Sequence, residues 1–283
     1  MVEELERAGV KPHLAEPADT AAARGRKKRA KTDRTDARLL RELLVQERLP
    51  ESWIPPAHVQ EVRLLARTYL SLVAERRAWR QRVHAQLYHQ GVPAIPALVT
   101  REGRAKLEAA QLSPDSRQAV EVALRMMAGI ERELAPLKLQ LEQLSRRLPG
   151  ARALDTLSGI GPLTAVVIWA ELGDCHRFRR SDQVVRLAGL DVTVWSSDGK
   201  RSAGHLARQG PAALRWALYE AAMTSTRETS PDHDYYQFVR ERLSGKRAVL
   251  SVARKLARRC YHTLRELGVT ALAPPEGPMH QAA

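Results

Sequence analysis

The sequence predicts a mostly α-helical chain, and three observations carry that prediction. Apolar residues recur at helical spacing from Ala37 onward, with breaks only at prolines and glycines. Ile130, Leu134, Leu137, Leu141, Leu144 and Leu148 alternate four- and three-residue steps, a heptad seam of the kind that pairs helices. Strand character is confined to one short stretch, Val10 to Ala15. The 283 residues are 44% hydrophobic and 28% charged, enough to bury a core and room for one large domain or two to three small ones.

Residues 1–8 read as the tail of a helix with Gly9 as its stop, and Pro17 closes the short strand that follows. Arg24 to Lys31 (RGRKKRAK) is a solvated basic loop, which can also track a phosphate backbone. A helix begins at Thr32-Asp33, carries Ala37, Leu40, Leu43 and Leu44 on one face, and runs to about Arg48 before Pro50, Pro55 and Pro56. From His58 to about Gln90, Val62, Leu65, Tyr69, Leu72 and Val73 form a stripe among Arg63, Arg67, Arg76, Arg77, Arg80 and Arg82. Gly91 to Pro96 breaks it. A third helical region covers roughly 104–148, with Pro136 expected to kink or interrupt it. Its seam is expected to pair with another helix, in this chain or a second one; an ordinary amphipathic helix on a core is the alternative. Composition shifts at Pro149-Gly150, a compact module reaches about Gly268, and the proline-rich end reads as a disordered tail.

The charge bounds the partners. Lys plus Arg is 46, of which 37 are Arg, against 32 Asp plus Glu, for a net charge of +14. The arginine fork matches phosphate oxygens, so nucleic acid is the first candidate, with codon bias toward arginine as the competing cause. No run of about 18 apolar residues exists to span a membrane. The start, Met-Val-Glu-Glu-Leu-Glu, lacks the basic-then-apolar pattern of a signal peptide. Two cysteines, Cys175 and Cys260, suit neither a disulfide framework nor a zinc site, which fits a reducing cytoplasm.

Three constellations carry chemistry. In Leu157-Ser-Gly-Ile-Gly-Pro-Leu-Thr-Ala165, Gly159 and Gly161 permit a tight turn and Pro162 opens a helix at its preferred first position. This is a helix-hairpin-helix-like pattern, in which N–H groups at a helix start favour a nucleic-acid phosphate; a simple helix turn is the alternative. In Gly189 to Gly210, a polar loop between helices holds Ser197 beside Asp198-Gly199, with Lys200, Arg201, Arg208 and Arg215 available to steady a phosphate; on local sequence a plain surface loop explains it better. In Lys31-Thr-Asp33-Arg-Thr-Asp36-Ala37, two carboxylates three residues apart at a helix start face one side. They suit Mg²⁺ held with substrate phosphate, although capping by Asp33 and dipole complementation by Asp36 explain them better when taken alone.

Taken in order, K-T-D-R-T-D-A, long helices, L-S-G-I-G-P-L-T-A, F-R-R-S-D-Q-V-V-R-L-A-G-L, S-S-D-G-K-R-S-A-G-H-L-A-R-Q-G and L-R-W-A-L resemble the DEDD transposases of bacterial insertion sequences, the IS116/IS110/IS902 type. The resemblance covers nearly the whole chain. It implies a remnant of an α/β RNase H-like (RuvC-like) domain at 1–56, a helical or coiled-coil region at 57–148, an α-helical transposase domain with the helix-hairpin-helix-like motif at 149–270, and a disordered tail at 271–283. It implies that Asp33 and Asp36 are the last two carboxylates of an Asp-Glu-Asp-Asp tetrad binding Mg²⁺, and that Ser197, with Ser196 as fallback, is the nucleophile. Gly159, Gly161, Lys200, Arg201, Arg208 and Arg215 are the implied nucleic-acid contacts.

The implied activity is cutting and rejoining DNA through a phosphoserine ester, with no nucleotide cofactor. The implied partners are DNA, a structured guide RNA in some members, and a second copy of the chain through the coiled coil. The implied location is the cytoplasm, at the nucleoid. Two departures stand out. The first Asp and the Glu of the tetrad belong before the point where this chain begins, and Glu3, Glu4 and Glu6 are poor substitutes, so an N-terminally truncated and impaired copy, or one with a misplaced start, is expected. Val192 stands where the family has proline after Gly-Leu. The competing expectations are a catalytically inactive nucleic-acid-binding remnant and a structural helical protein without DNA binding.

Overall fold

A computed structural model describes residues 2–23, 32–193, 196–197, 200–201 and 204–275. The chain divides into two units, Met1–Pro56 and Ala57–Ala283. The basic stretch at 24–31 and the last eight residues of the expected tail lie outside the described residues.

The described residues of the first unit form three short helices, α1 (Val2–Arg7), α2 (Pro17–Ala23) and α3 (Asp33–Val45). Gly9 ends the first turn of chain at φ +73°, as its position predicts. The expected strand at Val10–Ala15 shrinks to one antiparallel bridge, Ala15 opposite Glu51. Pro12 has no N–H to give a ladder, and the facing segment contributes its own Pro50, whose carbonyl accepts from Glu16 N–H at 2.8 Å. Pro17, expected to close the strand, instead opens α2 at the first helical position. The helix α3 starts where expected, but Thr32 caps it: its hydroxyl accepts from Thr35 N–H at 3.3 Å, and the Thr35 hydroxyl accepts from Thr32 N–H at 3.2 Å. Of the stripe on α3, only Leu43 is buried, at 5% exposure, while Leu40 and Leu44 are exposed and Val45 is 78% exposed.

The second unit is built on a long helical hairpin, α4 (Ala57–His89) and α6 (Pro114–Arg147), joined through α5 (Arg101–Ala109). The single helix expected over 104–148 is thus two, separated at 110–113, where Ser113 caps α6 and Pro114 opens it. The heptad seam starts earlier than the sequence reading placed it: Ser116, Val120, Ala123 and Met127 are buried in the same rhythm as Ile130, Leu134, Leu141 and Leu144. It packs against α4 of the same chain. Near the α5 end, Val83 and Leu87 of α4 meet Ile95, Leu98, Leu107 and Val120 in one cluster. A Cβ on Gly103 would lie 1.9 Å from the Ala97 carbonyl oxygen, so only glycine lets α5 approach that loop. Pro136 leaves α6 continuous; it sits on the solvent side, where water can satisfy the carbonyl it leaves unpaired.

The rest of the unit packs around α8 (Pro162–Leu172), which follows α7 (Pro149–Asp155). Every residue of α8 from Ala165 to Leu172 is buried, because α6, α7, a segment of α4 and α10 (Ala212–Met223) cover all its sides. Trp169 is fully buried and its indole N–H donates to the Ala271 carbonyl at 2.7 Å. Ala271 and Leu272, at the start of the expected tail, therefore belong to the packed structure, and His58 bonds the Leu272 carbonyl at 2.9 Å. Glu171, buried, takes a two-pronged bond from Arg67 at 2.7 and 2.9 Å, while Arg63 donates to the Ala170 carbonyl. The helices α9 (Ser181–Leu187), α11 (His233–Arg242) and α12 (Gly245–Glu266) complete the unit. Among the described residues between α9 and α10 lie four two-residue strands, β1 (Val192–Thr193), β2 (Ser196–Ser197), β3 (Lys200–Arg201) and β4 (His205–Leu206). The chain is mostly α, as predicted.

Candidate functional site

The segment expected as a polar loop is a β-hairpin. β1 pairs antiparallel with β4, Val192 opposite Leu206 and Thr193 opposite His205. Further along, β2 pairs with β3, Ser197 opposite Lys200 and Ser196 opposite Arg201. In the sequence, Asp198-Gly199 separates β2 from β3. Asp198 and Gly199 lie outside the described residues, as do the side chains of Ser196, Ser197, Lys200 and Arg201. Val192, in the position where a proline was expected, takes a ladder position.

The hairpin is tightly closed at its root. Gly189 has φ +62°, and a Cβ there would lie 2.3 Å from the Gln209 carbonyl oxygen; Gly210 has φ +86°, and a Cβ there would lie 1.9 Å from the Leu187 carbonyl oxygen. Between them Arg208 N–H donates to the Gly189 carbonyl at 3.2 Å and Ala207 N–H to the Asp191 carbonyl at 3.0 Å. Two arginines fasten this root from outside. Arg215 of α10 donates to the Ala188 carbonyl at 3.1 Å, and Arg254 of α12 donates to the Leu190 carbonyl at 2.6 Å. Burial lowers the pKa of Arg254, with Tyr235 and Asp191 pulling the other way; an arginine remains charged under such a shift. The Oδ1 atom of Asp191 is buried without a hydrogen-bond partner among the described residues. Arg208 is exposed, with the left-handed backbone φ of +53°.

Sequence reasoning missed Arg254. It lies 64 residues from its carbonyl partner, and nothing in its local surroundings marks it. Arg215, expected from the sequence as a phosphate contact, bonds a main-chain carbonyl at the hairpin's footing.

The turn from α7 to α8 also has a defined geometry. Gly159, at φ +88°, approaches the end of α10 so closely that a Cβ would lie 2.4 Å from Thr224 Oγ1. Gly161 precedes α8, and its N–H donates to Thr164 Oγ1 at 3.0 Å, so one of the N–H groups expected to be free is occupied. Pro162 has none to offer.

Asp33 and Asp36 sit in the first turn of α3, Asp33 exposed and Asp36 half-buried. Because Thr32 caps the helix, Asp33 is not its cap, and that explanation for its presence falls away. Among the described residues no group of three or more His, Cys, Asp and Glu side chains could hold a metal ion. Two carboxylates on one helical turn fill at most two positions of a six-coordinate Mg²⁺, so the described residues do not by themselves make a metal site. Asp33 and Asp36 belong to the first unit; Ser197, Gly159, Gly161, Lys200, Arg201, Arg208 and Arg215 belong to the second. Cys175 and Cys260 are buried and unpaired, and burial pushes the Cys175 thiol up to about 12. No helix among the described residues is long and apolar enough to cross a membrane.

Comparison with known proteins matches both ends of this arrangement. A family model described as "Transposase IS116/IS110/IS902 family" matches residues 151–237, and a model for DEDD transposases of the IS110 type, described as "Transposase", matches residues 1–90. A putative transposase, y4rJ, of Sinorhizobium fredii is 28% identical over 246 residues, covering 77% of this chain and 60% of that relative. The transposase for insertion sequence element IS1111A of Coxiella burnetii is 23% identical, covering 80% of this chain and 65% of that relative. A probable family 20 transposase of Pseudomonas aeruginosa is 25% identical, covering 72% and 63%. The chain thus spans less than two thirds of the length of each of these relatives.

Proposed function

We propose that the chain, which matches transposase family models over residues 151–237 and 1–90, is a transposase of the IS116/IS110/IS902 kind and acts in DNA cutting and rejoining, with Ser197 as the nucleophile. The observation that carries this reading is the hairpin: two glycine contacts and two arginine clamps hold its root, and Ser197 lies in β2, paired with Lys200 of β3. A nucleophilic hydroxyl needs a fixed support and access to its target.

In the reaction, Ser197 Oγ forms a bond to a DNA phosphorus, the phosphorus–oxygen bond to one strand end breaks, and the serine proton leaves with that end as its hydroxyl. Attack by the hydroxyl of a second strand reverses the step, so the phosphodiester count is unchanged and no energy-rich cofactor is needed. Lys200, Arg201 and Arg208 steady the charge on the phosphate, and the turn containing Gly159 and Gly161 grips the backbone nearby. The family implies a divalent cation, and Asp33 and Asp36 would be this chain's contribution to holding it. On the same reading, 1–56 is RuvC-like, 57–148 is the helical region and 149–270 is the transposase domain.

The test is a covalent protein–DNA adduct assay on Ser197→Ala with Ser196→Ala as control. Ser197→Ala retains DNA binding and loses all adduct, while Ser196→Ala keeps it. An adduct that persists in Ser197→Ala refutes the assignment.

A further inference from the structure

We infer that a separate site for an unpaired nucleic-acid strand lies in the cleft bounded by α4, α6 and the start of α10. The cleft encloses about 1420 Å³ within the second unit. Six arginines line it. Arg67 is engaged by Glu171 and Arg76 by Glu131. The guanidinium groups of Arg77, Arg80, Arg104 and Arg132 form no hydrogen bond or ion pair among the described residues. All four are exposed, yet they converge on the cleft from three helices. Unpaired guanidinium groups around a concavity repel one another, and an anion that threads between them relieves this.

The floor decides which anion fits. Leu70 and Val73 of α4 and Leu124 and Met127 of α6 give an apolar surface, and half-buried Trp216 of α10 forms a wall. A duplex presents phosphates and keeps its base faces stacked inside, so it would leave this floor unused. An unpaired strand offers both chemistries at once: phosphates for the four arginines, and base faces for the indole and the aliphatic floor. An acidic peptide would answer the charge, but without base faces it would gain little from Trp216. The inference stands apart from Ser197. It is read by equilibrium binding, whereas the serine assignment is read by adduct formation, so either can fail alone.

The experiment is fluorescence anisotropy of the full chain with labelled oligo-dT, oligo-U and duplex DNA of about 15 nucleotides, a length near the upper site size of single-strand binders. Replacing Arg77, Arg80, Arg104 and Arg132 together by Ala weakens single-strand binding at least tenfold. It also lowers the slope of log affinity against log salt by about 3, at roughly 0.7 per phosphate contact. Trp216→Leu weakens single-strand binding about tenfold and leaves duplex binding unchanged, while Trp216→Phe retains it. Should the fourfold variant melt early, Arg80→Glu and Arg132→Glu singly carry the same test. The tighter of oligo-dT and oligo-U identifies the strand as DNA or RNA. The inference is overturned if the arginine variants bind single strands as the parent does, or if they lose duplex and single strand alike with Trp216→Leu silent.

Discussion

The two units of this chain bury their apolar residues to opposite degrees. In the second, α8 is enclosed on every side and Trp169 is wholly buried with its N–H satisfied. In the first, Leu43 is the one buried apolar residue among those described, although α3 is clearly amphipathic. The contrast shows that periodicity specifies which face of a helix is apolar, and says nothing of whether a neighbour covers it. In the second unit α4 and α6 supply that cover to one another. In the first, Leu40, Leu44 and Val45 remain at the surface.

Three measurements sharpen this contrast. The largest effect belongs to Trp169→Ala, which removes a fully buried ring and its bond to Ala271; the cost is about 3–5 kcal/mol, read by chemical denaturation. The next concerns Asp232, which is buried and receives hydrogen bonds from Arg259 at 2.5 and 2.9 Å, with Lys255 3.0 Å away. Burial resists ionisation of Asp232, but the bonds from Arg259 and Lys255 outweigh it and hold the carboxyl below its ordinary value of 3.8. A depressed carboxylate contributes stability above its unfolded pKa and loses it as the pH falls through the folded one. Asp232→Asn therefore costs about 2 kcal/mol at neutral pH, the usual worth of hydrogen bonds to a charged group, and its deficit shrinks below about pH 4 as the parent is protonated. Thermal melts of both proteins from pH 2 to 7 check this. The smallest effect is expected for Leu44→Lys in the first unit, within about 0.5 kcal/mol of the parent, because the side chain is already 42% exposed. A loss of 2 kcal/mol or more there would break the contrast.

How far the sequence could be read follows from the range of the forces involved. The heptad seam was legible because a helix repeats its face every few residues, and the structure lengthens it back to Ser116. The capped start of α3 was legible within one residue; Thr32 took the role expected of Asp33 because its hydroxyl and that of Thr35 serve each other's N–H. The Ser197 hairpin was not read as strand, because two-residue polar strands carry no alternating pattern, and only Asp-Gly marked its turn. The closure at Gly189 and Gly210 and the clamps from Arg215 and Arg254 depend on contacts between distant segments, which no local pattern encodes.

Those clamps grip the main chain. The groups they hold, the carbonyls of Ala188 and Leu190, are present whatever amino acid occupies either position. An anchorage of that kind tolerates drift in what it holds while demanding constancy in the arginines that hold it. Positions 188 and 190 can therefore change while both clamps hold, whereas Gly189 and Gly210 beside them cannot.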